Sequence, residues 1–223
     1  MGVDMKKFNA KHPLFNVKGQ DLFEYIKDVN ILTHPDVAKV KNTFGETPLH
    51  FAAWNFKEAL DHPDVAKVKN KYGTAPLHLA EHFKEVLKHP DVAKVTNNDG
   101  ETPLHWAAKH FKEALDHPDV AKVTNNEGET PLHFAARRFK EVLKHPDVAK
   151  VKNKYGNTPL HFAAWRFKEA LDHPDVAGVK NKYGSTPLHW AAMHFPKLVL
   201  KHPMAKKVED KKGLTPFDIA RGS

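Results

Sequence analysis

TPLHFAARRFKEVLKHPDVAKVKNKYGN, residues 130–157, holds a helix start, a helix stop and a turn within 28 residues, and nearly the same string recurs along the chain. Thr130 is placed to cap a helix, and Pro131 stands at the first helical position, where a missing N–H costs nothing. Leu132, Ala135 and Ala136 follow at i, i+3 and i+4, one apolar stripe whose small alanines let a neighbouring helix come close. Phe139, Val142 and Leu143 repeat that spacing in a second short helix. It stops at His145-Pro146, because the residue before a proline is pushed out of the helical region. His145, in the last turn, is placed to bond free carbonyls. Val148 and Val151 are expected to pin the return segment to the next repeat, and Asn153 to Gly156 reads as a turn with positive φ at the glycine.

The glycines set the period. Gly45, Gly73, Gly100, Gly128, Gly156, Gly184 and Gly213 are spaced by 28, 27, 28, 28, 28 and 29 residues, each with Asn or Asp three positions earlier. Six full or near-full TPLH helix starts follow these turns. A single repeat of this size cannot bury its apolar face alone, so stacked neighbours must make the core. The second halves alternate: FKEALD begins at Phe56, Phe111 and Phe167, and FKEVLK at Phe83 and Phe139, as if a two-repeat block had been amplified.

The pattern GETPLHFAA, with Asn and Gly in the turn before it, resembles the ankyrin repeat, whose signature is TPLHxA. The resemblance covers about Asn42 to Arg221, with repeats of 28 residues rather than about 33. It implies an all-α solenoid of stacked helix-turn-helix repeats with turn or hairpin tips, and shortened second helices or loops. The expected organisation is an N-terminal capping segment at 1–41, six ankyrin-like repeats at 42–69, 70–96, 97–124, 125–152, 153–180 and 181–209, and a C-terminal half-repeat cap at 210–223. In the capping segment, Leu22, Phe23 and Ile26 are placed to cover the first core. In the half-repeat, Asp218 replaces the usual histidine.

Composition narrows the function classes. The 223 residues are 40% hydrophobic and 28% charged, and there is no apolar run long enough to span a membrane and no leader-like N-terminus. Lys6 stands where a myristoylation motif needs Ser or Thr. The lack of cysteine excludes disulfides, thiolate metal sites and a cysteine nucleophile, and fits a cytoplasmic setting. The formal charge is +8, but lysine and glutamate alternate on helix faces in the manner of solvated surfaces.

Histidines stand in two columns: His50, His78, His105, His133, His161 and His189 in TPLH, and His34, His62, His89, His117, His145, His173 and His202 before proline. Stacked helices about 8–10 Å apart hold column members too far apart for one metal ion. The first column is expected to bond the capping threonine or nearby loop backbone. His78, Glu81 and His82 match HxxEH, an inverted-zincin pattern. They are brought together where this repeat lacks one residue, with no third ligand in view. GxGxxG, GxxxxGK[ST] and GxSxG are absent, so no catalytic residue, metal or cofactor is expected.

If the repeated residues build the scaffold, a specific surface is written where the repeats disagree. In the family, turn tips and the exposed face of the first helix form a concave partner surface. The resemblance carries this role to Phe44, Trp54, Lys71, Tyr72, Asp99, Glu101, Lys109, His110, Glu127, Arg137, Arg138, Lys154, Tyr155, Trp165, Arg166, Tyr183, Met193 and His194, and Asn157 belongs to the same variable set. Aromatic and arginine side chains are those enriched among interface hot spots. Phe51, Phe134, Phe162, Trp106 and Trp190 are assigned to packing between repeats.

The expected function is a monomeric, non-catalytic scaffold that binds another protein. Nucleic acid is disfavoured, because Asp99, Glu101, Glu127 and Glu129 interrupt a basic groove. Two further readings stay open: an engineered or consensus-like scaffold without a natural partner, and a binder of nucleic acid or an acidic surface through the lysines of DVAKVKNK.

Overall fold

The computed structural model describes residues 22–24 and 26–222. The myristoylation reading and most of the capping segment lie outside the described residues. The chain divides into two compact units, Met1–Leu104 and His105–Ser223.

Eight α-helices are present among the described residues, with no strand. α1 (Pro48–Asn55), α2 (Pro76–Leu79), α3 (Pro103–Ala107), α4 (Pro131–Ala136), α5 (Pro159–Arg166) and α6 (Pro187–His194) each begin at the proline of TPLH or APLH. α7 (Pro196–Val199) and α8 (Pro216–Arg221) complete the series, and the division between units falls within α3. The second halves of the repeats are tighter than α-helices. Lys57–Asp61, Lys84–Lys88, Lys112–Asp116, Lys140–Lys144 and Lys168–Asp172 are 3-10 helices, as is Val29–Thr33 ahead of the first TPLH. Five residues lie between a phenylalanine in extended conformation and a histidine held extended by its proline, as at Phe139 (φ −127°, ψ 123°) and His145 (φ −74°, ψ 133°). That leaves room only for i→i+3 bonds.

The one-residue deletion at Ala75–Phe83 is absorbed in the same way. There α2 runs for four residues and continues as a 3-10 helix at Ala80–His82. At 1.5 Å per α residue and 2.0 Å per 3-10 residue, those seven residues span about 12 Å, the same as the eight residues of α1. Stretching the helix keeps the next segment in register.

In the N-terminal unit, Ile31, Val37, Leu49, Ala52, Ala53 and Ala59 form a buried cluster, with Ile26 packed against it. Leu22 is fully buried, and the Phe23 ring meets Phe51 edge-on at 5.7 Å. α1 packs on α2, and Ala52 and Ala53 of α1 are fully buried. In the C-terminal unit, Leu132, Leu160 and Leu188 are buried without residual exposure, among Ala136, Ala163, Ala164, Ala191 and Ala192. Each such leucine contributes about 2 kcal/mol of apolar burial.

The leucine after the proline also settles a backbone debt of the helix start. Its N–H, an orphan of the first turn, donates to the valine carbonyl of the preceding DVA segment: Leu49 to Val37 (3.0 Å), Leu77 to Val65 (2.9 Å), Leu160 to Val148 (2.9 Å) and Leu188 to Val176 (2.9 Å). This is how DVAKV fastens one repeat to the next.

The tips are closed turns. Asn153 Oδ1 accepts from the N–H groups of Tyr155 and Asn157, both at 3.0 Å, and Gly156 N–H donates to Asn153 O at 2.9 Å. Gly156 has φ 76°, and a Cβ there would lie 2.9 Å from Lys182 N, so both conformation and crowding require glycine. That close approach is the tip-to-tip bond itself, Lys182 N–H to Tyr155 O at 3.0 Å.

Candidate functional site

The TPLH histidines form a repeated seam. Thr158 N–H donates to His161 Nδ1 at 3.1 Å, and the Thr158 hydroxyl lies 2.9 Å from the same nitrogen. An N–H can only donate, so Nδ1 is unprotonated and Nε2 carries the hydrogen. Nε2 then donates to Ser185 O of the following repeat at 3.1 Å. The same cross-repeat bond joins His50 to Thr74 O and His78 to Glu101 O in the N-terminal unit. In the C-terminal unit it joins His105 to Glu129 O, His133 to Asn157 O and His189 to Leu214 O. Burial opposes a second proton: it pushes His78, His105, His133 and His161 down to about 4, against the pull of the carbonyl bonds. His50 and His189 are lowered for the same reason.

Asp218 keeps half of this function. Its Oδ2 accepts from Thr215 N–H (2.9 Å) and the Thr215 hydroxyl (2.6 Å), but a carboxylate has no counterpart to the Nε2 donor.

The histidines before proline act locally. The Nδ1 atoms of His62, His117 and His145 each accept, at 3.1 Å, from the N–H two residues on, across the proline. The helix-end carbonyl that sequence reasoning gave to the side chain is taken instead by the backbone N–H, as from His145 to Val142 O at 2.9 Å.

The HxxEH match does not assemble. Both ring nitrogens of His78 are engaged, Nδ1 by Ala75 N–H and Nε2 by Glu101 O. The His82 ring instead meets Trp54 edge-on at 4.2 Å. Among the described residues, no three histidines, aspartates or glutamates are grouped to hold a metal ion.

The variable residues lie at the surface. Of the 18 named from sequence, all are exposed except Glu101, Lys109 and Arg137, which are half-buried. In the N-terminal unit Phe44, Trp54 and Tyr72 stand out, with Lys71 and Asp99 exposed on the tips beside them. In the C-terminal unit Lys109 Nζ lies 4.8 Å above the Phe134 ring, and His110 is exposed. Glu127 accepts from the Tyr155 hydroxyl at 3.1 Å and lies 3.9 Å from Lys154 Nζ. Arg137 is pinned: its Nη2 donates to Glu129 Oε1 at 2.6 Å, and its guanidinium lies 4.0 Å over Phe162. Asn157 is a correction. It is buried, and its Oδ1 accepts from Asn181 Nδ2 at 2.8 Å, so it belongs to the seam.

Trp165, Arg166 and Met193 come together with Arg137, Phe162 and Trp190 around a groove of about 490 Å³ on α5 and α6. Trp165 meets the Trp190 ring at 6.3 Å and His194 at 3.8 Å, and Phe162 meets Trp190 at 5.3 Å, all edge-to-face. Phe162 and Trp190 were assigned to packing; they are half-buried and also wall the groove. Helical spacing contains the signal. Phe162 precedes Trp165 and Arg166 by three and four residues, as Trp190 precedes Met193 and His194, so each trio shares a face. Tyr183 lies exposed on the neighbouring tip, and Arg138 on the turn after α4.

No helix among the described residues is long and apolar enough to cross a membrane. No curated protein matches the chain. Residues 81–151 match the family model for ankyrin repeats, in three copies. Such repeats are generally modules of protein–protein interaction and typically non-catalytic. The matched segment consists of ankyrin repeats, and further copies of the same turn, helix and histidine bond flank it on both sides.

Proposed function

We propose that the protein is a non-catalytic, monomeric scaffold of the cytoplasm that binds another protein through its turn tips and the exposed faces of its first helices. The observation that carries this reading is the groove of Phe162, Trp165, Arg166, Trp190 and Met193. There large apolar side chains, 40% exposed at Trp165 and 46% at Met193, stay in contact with water beside arginine. A stable fold gains nothing from leaving such surface wet, whereas aromatic and arginine anchors in a preformed pocket are where binding energy concentrates. The repeated residues already have structural partners, so the variable ones are left to distinguish partners.

The test is a pull-down from lysate of the expressing cells, with mass spectrometry, comparing the natural chain with a variant in which Tyr155, Trp165 and Arg166 are alanine. Proteins held by the natural chain should be lost from the variant while the melting temperature stays nearly the same. Retention of the same set by both chains overturns this surface assignment.

A further inference from the structure

We propose that the groove on α5 and α6 receives an acidic segment of the partner that carries one large apolar side chain beside its carboxylates. This deepens the protein-binding reading above and rests on it.

The apolar half follows from the lining. Phe162, Trp165 and Trp190 are held edge-to-face, so their positions are fixed before anything binds, and Met193 supplies an adaptable wall. About 490 Å³ exceeds the lower limit of roughly 300 Å³ for a pocket that holds a compact ligand, enough for a leucine-sized or aromatic side chain and its neighbours.

The acidic half follows from charge. In the C-terminal unit the two positions after the helix-start alanines read Lys109-His110, Arg137-Arg138, Trp165-Arg166 and Met193-His194, with four permanent cations and no carboxylate. Arg137 is already neutralised by Glu129 at 2.6 Å and lies flat on Phe162, so it acts as wall rather than receptor. Arg138 and Arg166 are exposed, and among the described residues their side chains make no ion pair or hydrogen bond. The Arg166 guanidinium at the edge of the aromatic slot repels a cationic ligand and offers a forked, bidentate site to a carboxylate, and Arg138 extends the row of cations beyond the groove. A polynucleotide needs a continuous track of cations, and here the tip carries Glu127 and Glu129 beside the row.

The test uses the full chain and fluorescein-labelled peptides of ten residues: an acidic peptide with a central leucine, its form with every carboxylate replaced by amide, its form with the leucine replaced by alanine, and a neutral leucine peptide. A single-stranded oligonucleotide of random sequence is included. The acidic leucine peptide should bind best. Removing its carboxylates or its leucine, or introducing Arg166→Gln, should each weaken it about tenfold, and Trp165→Ala should weaken it more. Arg166→Gln lies on the surface and keeps the fold, as circular dichroism can verify, so the test does not depend on Trp165→Ala folding. Equal binding of the neutral leucine peptide, still lost in Trp165→Ala, overturns the acidic assignment and leaves the protein-binding reading standing. Binding of the oligonucleotide alone, with no peptide retained, overturns both.

Discussion

The N-terminal unit and the C-terminal unit each contain the same kind of histidine seam within themselves, and their variable residues differ. His50 and His78 bridge repeats in one unit as His105, His133, His161 and His189 do in the other, with Nε2-to-carbonyl distances of 3.0 to 3.1 Å throughout. Yet the positions after the helix-start alanines read Trp54-Asn55 and Glu81-His82 in the first unit, without a permanent cation, against four cations in the second. The difference separates two functions of a repeat sequence. Residues that return in every copy hold backbone groups that would otherwise be orphaned. Residues that change are released from that duty.

The shared seam can be broken in both units at once by acid. The folded state holds His78, His105, His133 and His161 at about 4, against an ordinary value of 6.5. The unfolded chain therefore binds more protons between those values, and stability is complete above pH 6.5 and falls as pH drops toward 4, with no further loss from these groups below it. At pH 5 each such histidine costs about 2 kcal/mol, and the four together about 8 kcal/mol, comparable with the whole stability of an ordinary domain. Circular dichroism and hydrogen exchange should show both units opening between pH 6 and pH 4. A C-terminal unit that keeps its exchange protection at pH 4.5 contradicts this account of the seam.

A smaller effect comes from cutting one bridge. His161→Leu leaves Thr158 N–H and Ser185 O without their partner in a buried place, so it should cost about 3 kcal/mol in urea unfolding. Asp218→Ala removes only the local half of the bridge, from an exposed side chain, and should lower the urea midpoint by clearly less than His161→Leu does. Equal losses in the two variants mean that the cross-repeat bond adds nothing to the local cap.

Much of this was legible in the sequence because it depends on local chemistry. Pro131 after Thr130, the glycines with positive φ and the histidine before each proline fix helix starts, turns and helix stops one repeat at a time. The 3-10 form of the second helices was less legible, because Lys140–Lys144 has an ordinary amphipathic pattern and the constraint comes from both flanks. Asn157 looked like a variable tip residue, and only the approach of Asn181 shows that its side chain bridges two tips. In the sequence Phe162 and Trp190 read as packing residues, lying within the helix just after TPLH. A half-buried ring can pack with one face and wall a groove with the other, and spacing along one helix does not say which neighbour covers it. The candidate site is thus an outcome of two helices being set side by side.

The smallest expected effect sharpens the comparison most. α1 and α5 read PLHFAAWN and PLHFAAWR, so Asn55 and Arg166 are the one difference between two otherwise identical helices. Asn55→Arg gives the N-terminal unit the same helix as the groove. Stability should change by less than about 0.5 kcal/mol, since loss of the bond from Asn55 Nδ2 to Phe51 O (2.8 Å) is offset by a cation at a helix C-terminus. Affinity for the acidic leucine peptide should also stay unchanged, measured in a chain that carries Trp165→Ala so that only the N-terminal unit can report. In that unit Leu79 stands where the second helix has Trp190, and Glu81 follows it, so the opposite wall lacks its large ring and adds a negative charge. If Asn55→Arg alone creates acidic-peptide binding, recognition resides in one helix and the paired wall is dispensable. If it does not, two consecutive repeats must differ together before a face acquires specificity.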